Sequence, residues 1–486
     1  MEESKLPRTK VVIIGAGASG LAAADALLKN DLKDFMILES SDRIGGRVHS
    51  IDWAGTDIEL GAQWIHGEEG NVACEIALEH GILEDPKAPT LEDIGEDFFD
   101  SHGNEWDEQL VEDIEAIFEQ AEDDLEERPV QSEESIGDYF EPKIKELVQD
   151  RDDTFRKHVF MYLDFYHRYQ QAVEACNHWN QASLYSGHRL YELPPGKESI
   201  ALKGDHKMSD ILDTFLSDEL KSKIAIGSEV TQISEDESKA GYKITTKNGK
   251  TFLTDAVLVS VSLGVLKAHH PTLFSPPLPK AKVEAIQSVE FGTVNKIYLE
   301  FEHPWWSPDA EGFGFLFEND SDYSLTTSKT DWTRSLLGLY LVANRPNILS
   351  MWISGHGARY LETLSEQDSQ RDTMNFIRKF LHKLSEQDSQ RDTMNFIRKF
   401  LHKKYPDIPE PRHFLVTKWN SNPHVCGSYS FLSPHTMKKG ILPGDLASPV
   451  GKIHFCGEAT SPHHFSTLHG AIGSGIRAAN DILRHF

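Results

Sequence analysis

The sequence predicts an α/β fold organised on a Rossmann-like dinucleotide-binding domain. Three observations predict it. A strand, a glycine loop and a helix follow one another between Lys10 and Lys29; alternating strand patterns return after residue 205; and an acidic stretch of helical periodicity lies between them.

Val11, Val12, Ile13 and Ile14 read as a short buried parallel strand. Gly15-Ala16-Gly17-Ala18-Ser19-Gly20 turns that strand into an Ala/Leu-rich helix. Gly15 permits the tight turn, Gly17 lets the backbone approach a pyrophosphate, and Gly20 lets helix and strand pack closely. The helix N-terminus offers free N–H groups and a positive dipole to phosphates, so Ala18 and Ser19 join the cradle. Phe35 to Leu38 form a second apolar strand. Glu39 closes it, at about the 20-residue spacing expected of an acid that hydrogen-bonds an adenosine ribose.

Next come Asp42-Arg43-Ile44-Gly45-Gly46-Arg47 and Glu59-Leu60-Gly61-Ala62-Gln63-Trp64-Ile65-His66-Gly67. Paired glycines between two arginines suit a loop crossing close to a phosphate or ring, with Arg47 available to neutralise phosphate charge. These two motifs resemble the flavin-containing amine oxidases, and His66 resembles the animal polyamine oxidase branch, where plant relatives commonly carry an acid. The resemblance implies non-covalent FAD, with Arg43, Gly45, Gly46, Gly61, Ala62 and Trp64 among its contacts. It also implies a discontinuous FAD-binding domain (1–85, 205–290 and 445–486) and an α+β substrate domain with a mixed or antiparallel sheet (86–204 and 291–444).

Composition bounds the partners. At 486 residues the chain is long enough for two or three domains. A formal net charge of −28 argues against nonspecific nucleic-acid binding and favours cationic ligands. Cys74, Cys176, Cys426 and Cys456 show no metal or disulfide spacing, which fits a reducing compartment. Neither a secretory signal, a membrane anchor nor a peroxisomal SKL address is visible, so the expectation is the cytoplasm, with the nucleus open as an alternative; a monomer is expected.

From about Glu84 to Asp153 the chain is acidic, and Leu110, Ile114 and Phe118 recur at helical spacing. Solvated helical faces are the expectation here, an acidic rim that concentrates polycations the alternative. The Asn248-Gly249 pair, preceded by alternating Tyr242, Ile244 and Thr246, predicts a hairpin. By resemblance the Glu229-Val230 strand lies beside the adenine, making Val230 a cofactor contact. In FGTVNKIYLEF, residues 291–301, alternation places Lys296, Tyr298 and Glu300 on one strand face and Ile297, Leu299 and Phe301 on the other. Alone, Lys296 reads as a solvated strand lysine; the resemblance makes it the flavin-proximal lysine.

Residues 364–383 repeat without change as 384–403. Twenty residues rotate a helix by about 200° beyond whole turns, so one straight helix cannot keep both apolar faces inward. A break near Lys383 and Leu384 is expected. Towards the C-terminus, after Trp419 and Tyr429, the array from Gly457-Glu458-Ala459-Thr460 through Ser466-Thr467-Leu468-His469-Gly470 to Ser474-Gly475-Ile476-Arg477-Ala478-Ala479 matches the family's second FAD segment, and the resemblance makes Trp419 a further cofactor contact. Gly470, Gly473 and Gly475 read either as packing or as cofactor-approach positions.

The implied reaction takes hydride from the carbon beside a polyamine nitrogen to flavin N5. The imine then hydrolyses to an aldehyde and a shorter amine, and O2 is reduced to H2O2. By resemblance Lys296 holds a water near N5, His66 hydrogen-bonds substrate nitrogen, and Tyr429 walls the amine. Glu458 binds the ribityl chain, and the helix starting near Thr467 directs its dipole at the flavin, with Thr467 and Leu468 contacting it. Spermine is preferred as substrate over N1-acetylpolyamines; a catalytically silent FAD scaffold is the contrasting expectation. Ser428, where a covalent flavin would need cysteine, counts against a monoamine oxidase.

Overall fold

The computed structural model describes residues 7–83, 97–131, 133–196, 199–200, 202–236, 241–310, 312–318, 332–364, 404–405 and 408–486. Apart from Leu364, the tandem repeat and its expected break lie outside them. The described residues form two compact units, one within Met1–Glu92, Ser186–Phe291 and Asn422–Phe486, the other within Asp93–Tyr185 and Gly292–Ser421.

In the first unit the strand Arg8–Ile14 lies between parallel neighbours Phe35–Leu38 and Thr251–Val259. The short strand Ile453–Phe455 adds itself in parallel to Thr251–Val259, bringing the C-terminal segment to the same sheet. Val11 and Ile13 enter one core with Leu21, Ala24, Ile472 and Ala479, while Val12 and Ile14 enter another with Val257, Val259 and Phe455. Burial on both faces is why this strand is an unbroken apolar run. The predicted hairpin forms between Tyr242–Thr246 and Thr251–Val259, with Gly249 at φ +79°.

Residues 186–204 and 422–444, assigned from sequence to the substrate domain, cluster with this first unit instead. Ile200 pairs with Ile65 and Leu202 with Leu83, and Ser430–Phe431 pairs with Glu290–Phe291. Ser262 Oγ also donates to the Val425 carbonyl. These are bridges between segments far apart in sequence, which local periodicity does not encode.

The second unit holds a six-stranded mixed sheet in the order His413–Val416, Val294–Glu300, Arg345–Ser354, Leu336–Val342, Gly312–Leu316, Asp97–Asp100. Its neighbours are antiparallel except for the last pair. Ile297, Leu299 and Phe301 pack into one core, as the alternation predicts. Every residue of Val294–Glu300 is buried, so Lys296 is no solvated strand lysine. Helices Glu108–Glu126, Ile136–Leu147 and Asp153–Glu174 belong to the same unit, with Ile114 and Phe118 on the buried side of the first.

Candidate functional site

The glycine loop has the geometry its sequence requires. Gly15 sits at φ +105°, and a Cβ there would lie 2.8 Å from Ser260 Oγ. At Gly20 a Cβ would lie 2.1 Å from the Gly15 carbonyl oxygen, closer than any side chain allows. Gly17 differs: the nearest atom to a Cβ there is 4.0 Å away, so its constraint does not come from the chain itself. The helix Ala18–Lys29 starts at Gly17 without a side-chain cap, leaving the first-turn amides of Ala18, Ser19 and Gly20 to an anionic ligand. Gly457, at φ +127°, likewise has nothing within 4 Å of a Cβ. Open glycines, an uncapped helix start and a buried acid at the second strand's end fit a dinucleotide.

That acid, Glu39, accepts from the Ala16 amide at 2.7 Å and from the Ser41 amide at 2.8 Å, so it also braces the loop. Gly45 and Gly46 both have positive φ, and the Gly45 amide donates to the Ala16 carbonyl at 2.8 Å. Arg43 donates to the carbonyls of Gly46 and Ile44 at 2.7 and 3.0 Å; its guanidinium holds the loop's own backbone. Ala62 donates its amide to the Arg47 carbonyl, and Gly61 and Trp64 are half-buried beside it in sequence. Val230 opens the strand Val230–Glu235 and packs against the second core of this unit.

Arg47 and Glu458, 411 residues apart, form an ion pair at 2.7 Å. Arg47 also donates to the Ser428 carbonyl at 2.8 Å, while the other Glu458 oxygen accepts from Ser430 Oγ at 2.6 Å and the Ser466 amide at 2.8 Å. Glu458 thus clasps three segments, and half-buried Tyr429 lies on the backbone it fixes. Thr467 caps the helix Leu468–Leu483, its Oγ1 accepting from the Gly470 amide at 3.0 Å. Two of the three late glycines are packing positions: a Cβ at Gly470 would lie 1.8 Å from the His464 carbonyl oxygen, and one at Gly475 2.1 Å from that of Ser19.

His66 is half-buried, with Nδ1 3.3 Å from Ser199 Oγ. Its carbonyl accepts from Asn71 Nδ2 at 2.7 Å. Asn71 Oδ1 accepts the amides of Ala73 and Cys74, which fixes the amide orientation and makes Nδ2 the group 3.4 Å from His469 Nδ1. His469 Nε2 is a buried atom with no hydrogen-bond partner among the described residues. Burial, and then the charges of His464 and His66, push this imidazole down to about 3. Sequence reading assigned His469 no role, because a histidine in a helix start carries no periodic signal.

Lys296 and Trp419 belong to the second unit. Lys296 is 4% exposed, and its Nζ lies 5.0 Å over the Trp352 ring. Its amide donates to Thr417 Oγ1 at 2.8 Å and its carbonyl accepts from the Thr417 amide at 2.9 Å. Trp419, also buried, donates its amide to Asn295 Oδ1 at 3.2 Å.

Glu174, missed by the sequence reading, ends the helix Asp153–Glu174. The next residue, Ala175, accepts from the Thr293 amide, and a Cβ on Gly292 would lie 1.9 Å from its carbonyl oxygen, so this helix end is docked just before the Lys296 strand. Burial pushes the Glu174 carboxyl up to about 7. An unfolded chain releases this proton near 4.5, so stability falls as pH rises from 4.5 to about 7 and levels off above that. Glu174→Gln removes the decline: the unfolding free energy of the variant, measured in urea, rises relative to wild type across that window, by up to the order of 3 kcal/mol at its upper end.

The model of the family described as flavin containing amine oxidoreductase matches residues 18–483. The chain belongs to that family. FAD is the cofactor of this oxidoreductase, and amine oxidation is its chemistry. Similar proteins include the peroxisomal N(1)-acetyl-spermine/spermidine oxidase of Bos taurus, 27% identical over 98% of this chain and 94% of the relative. The human protein of the same name is 28% identical over the same shares. Polyamine oxidase 3 of Oryza sativa subsp. japonica is 29% identical over 97% of this chain and 88% of its own length. A solved structure of a putrescine oxidase redesigned in its cofactor binding shares the fold, with a TM-score of 0.62, 17% identity and coverage of 99% of this chain and 100% of that one. Among the described residues no helix is long and apolar enough to cross a membrane.

Proposed function

We propose that this oxidoreductase is a polyamine oxidase preferring spermine. The observation that supports a polyamine substrate is similarity along nearly the whole chain to N(1)-acetyl-spermine/spermidine oxidases of animals and polyamine oxidases of plants. FAD, when bound, would supply the hydride acceptor and the route for electrons to O2. The chain's own residues do the rest. The glycine cradle, Glu39 and Arg47 hold the cofactor; His66 offers a hydrogen bond to substrate nitrogen without a carboxylate's full ion-pair attraction, so the reacting amine keeps its lone pair. A net charge of −28 draws the distal ammonium groups. Lys296 holds water beside the flavin and stabilises negative charge developing on oxygen. The protein acts in the cytoplasm as a monomer.

Peroxide release from spermine against N1-acetylspermine tests the proposal. A higher kcat/KM for spermine supports it; preference for the acetylated amine assigns the second substrate, and no peroxide from either overturns it. His66→Ala lowers kcat/KM for spermine about tenfold, the worth of one hydrogen bond, whereas full activity across a pH series removes its assigned role.

A further inference from the structure

We infer that Glu362 is the positioning residue of the flavin-facing lysine segment. It lies on the helix Gly355–Thr363 and is 8% exposed. Three N–H donors converge on its carboxylate. Oε1 accepts from Asn295 Nδ2 at 2.7 Å and from the Asn420 amide at 2.8 Å, and Oε2 accepts from the Ser421 amide at 2.5 Å. A buried carboxylate with this many donors makes strong, charge-assisted bonds and fixes what it touches.

What it touches leads directly to Lys296 and Trp419. Asn295 is fully buried, and its Oδ1 accepts from Thr417 Oγ1 and from the Trp419 amide, both at 3.2 Å. Thr417 Oγ1 in turn accepts the Lys296 amide. The carboxylate therefore sets the Asn295 side chain, and through it both the strand carrying Lys296 and the turn after Trp419. One helical turn earlier, Arg359 donates to Asn177 Oδ1 and lies 3.5 Å from Thr293 Oγ1. The same helix thus also ties down the end of the Glu174 helix. A glutamine at 362 keeps the size but turns an NH2 towards one of three groups that can only donate there, so the charge and its acceptor-only character are both used.

The inference rests on Lys296 acting beside the flavin, and the test separates the two. Four holoenzymes are compared: wild type, Lys296→Met, Glu362→Gln and the double variant. Each is reduced anaerobically with spermine, and its reoxidation by O2 is followed by flavin absorbance. Amide hydrogen exchange at Asn420 and Ser421 is measured alongside. Glu362→Gln is expected to retain FAD, slow reoxidation about tenfold, speed exchange at both amides, and leave KM for spermine unchanged. The double variant is expected to be no slower than Lys296→Met, because Glu362 acts through that lysine. Thr417→Val, which cuts the same network without unpairing a buried charge, reproduces the slowing if Glu362→Gln does not fold. Multiplicative losses in the double variant, or wild-type reoxidation in Glu362→Gln or in Thr417→Val, overturn the positioning role while leaving Lys296 in place. Wild-type reoxidation in Lys296→Met overturns both.

Discussion

Lys296→Met is expected to keep its FAD and to turn over spermine about 100-fold more slowly than wild type. Methionine preserves the length and apolar stem of the side chain while removing its charge. The site is built to hold that charge in a dry place: Lys296 is 4% exposed, its ammonium lies over the Trp352 ring, and its backbone is bonded on both sides to Thr417. A cation so placed stabilises negative charge without reorganising solvent, which is worth a few kcal/mol in a water-excluded site. Stopped-flow reoxidation, with FAD content measured from the absorption spectrum, checks the expectation.

Arg47→Met is expected to be the most disruptive single change in the first unit. Glu458 is buried, and Arg47 is its charge partner. Removing one member of a buried pair leaves the other charge uncompensated, at a cost of about 3–5 kcal/mol. Arg47 is itself about a quarter exposed and Glu458 retains Ser430 and the Ser466 amide, so the lower end, about 3 kcal/mol, is expected. FAD should be lost on dialysis at the same time, because the pair joins the loop after the cradle to the segment ending at Thr467. Urea unfolding and the flavin-to-protein absorbance ratio measure both effects.

The cradle was legible because its constraints are local. Gly15 is forced by its φ of +105° and Gly20 by the Gly15 carbonyl five residues away, while Gly17 meets no atom closer than 4.0 Å. The second flavin segment was legible as an ordered motif, but the work of its members was not. Arg43, in the loop after the cradle, bonds that loop's backbone; in the second segment Thr467 caps a helix and Glu458 is held by Arg47, Ser430 and Ser466. Gly470 and Gly475 turned out to be contact points for His464 and Ser19. Glu174 and Glu362 escaped altogether, since a carboxylate's importance lies in what surrounds it. Asn295 and Glu362 are 67 residues apart and meet only once the sheet and helix have packed. The allegiance of residues 186–204 and 422–444 was hidden for the same reason: single bridges such as Ile65 to Ile200 decide it.

The central claim, a working FAD-dependent polyamine oxidase, is tested most directly by adding spermine anaerobically to the purified protein. The account predicts that the flavin absorption bleaches and that air restores it with release of peroxide. A flavin spectrum indifferent to spermine, N1-acetylspermine and other amines would contradict the account and leave an FAD-binding scaffold in its place.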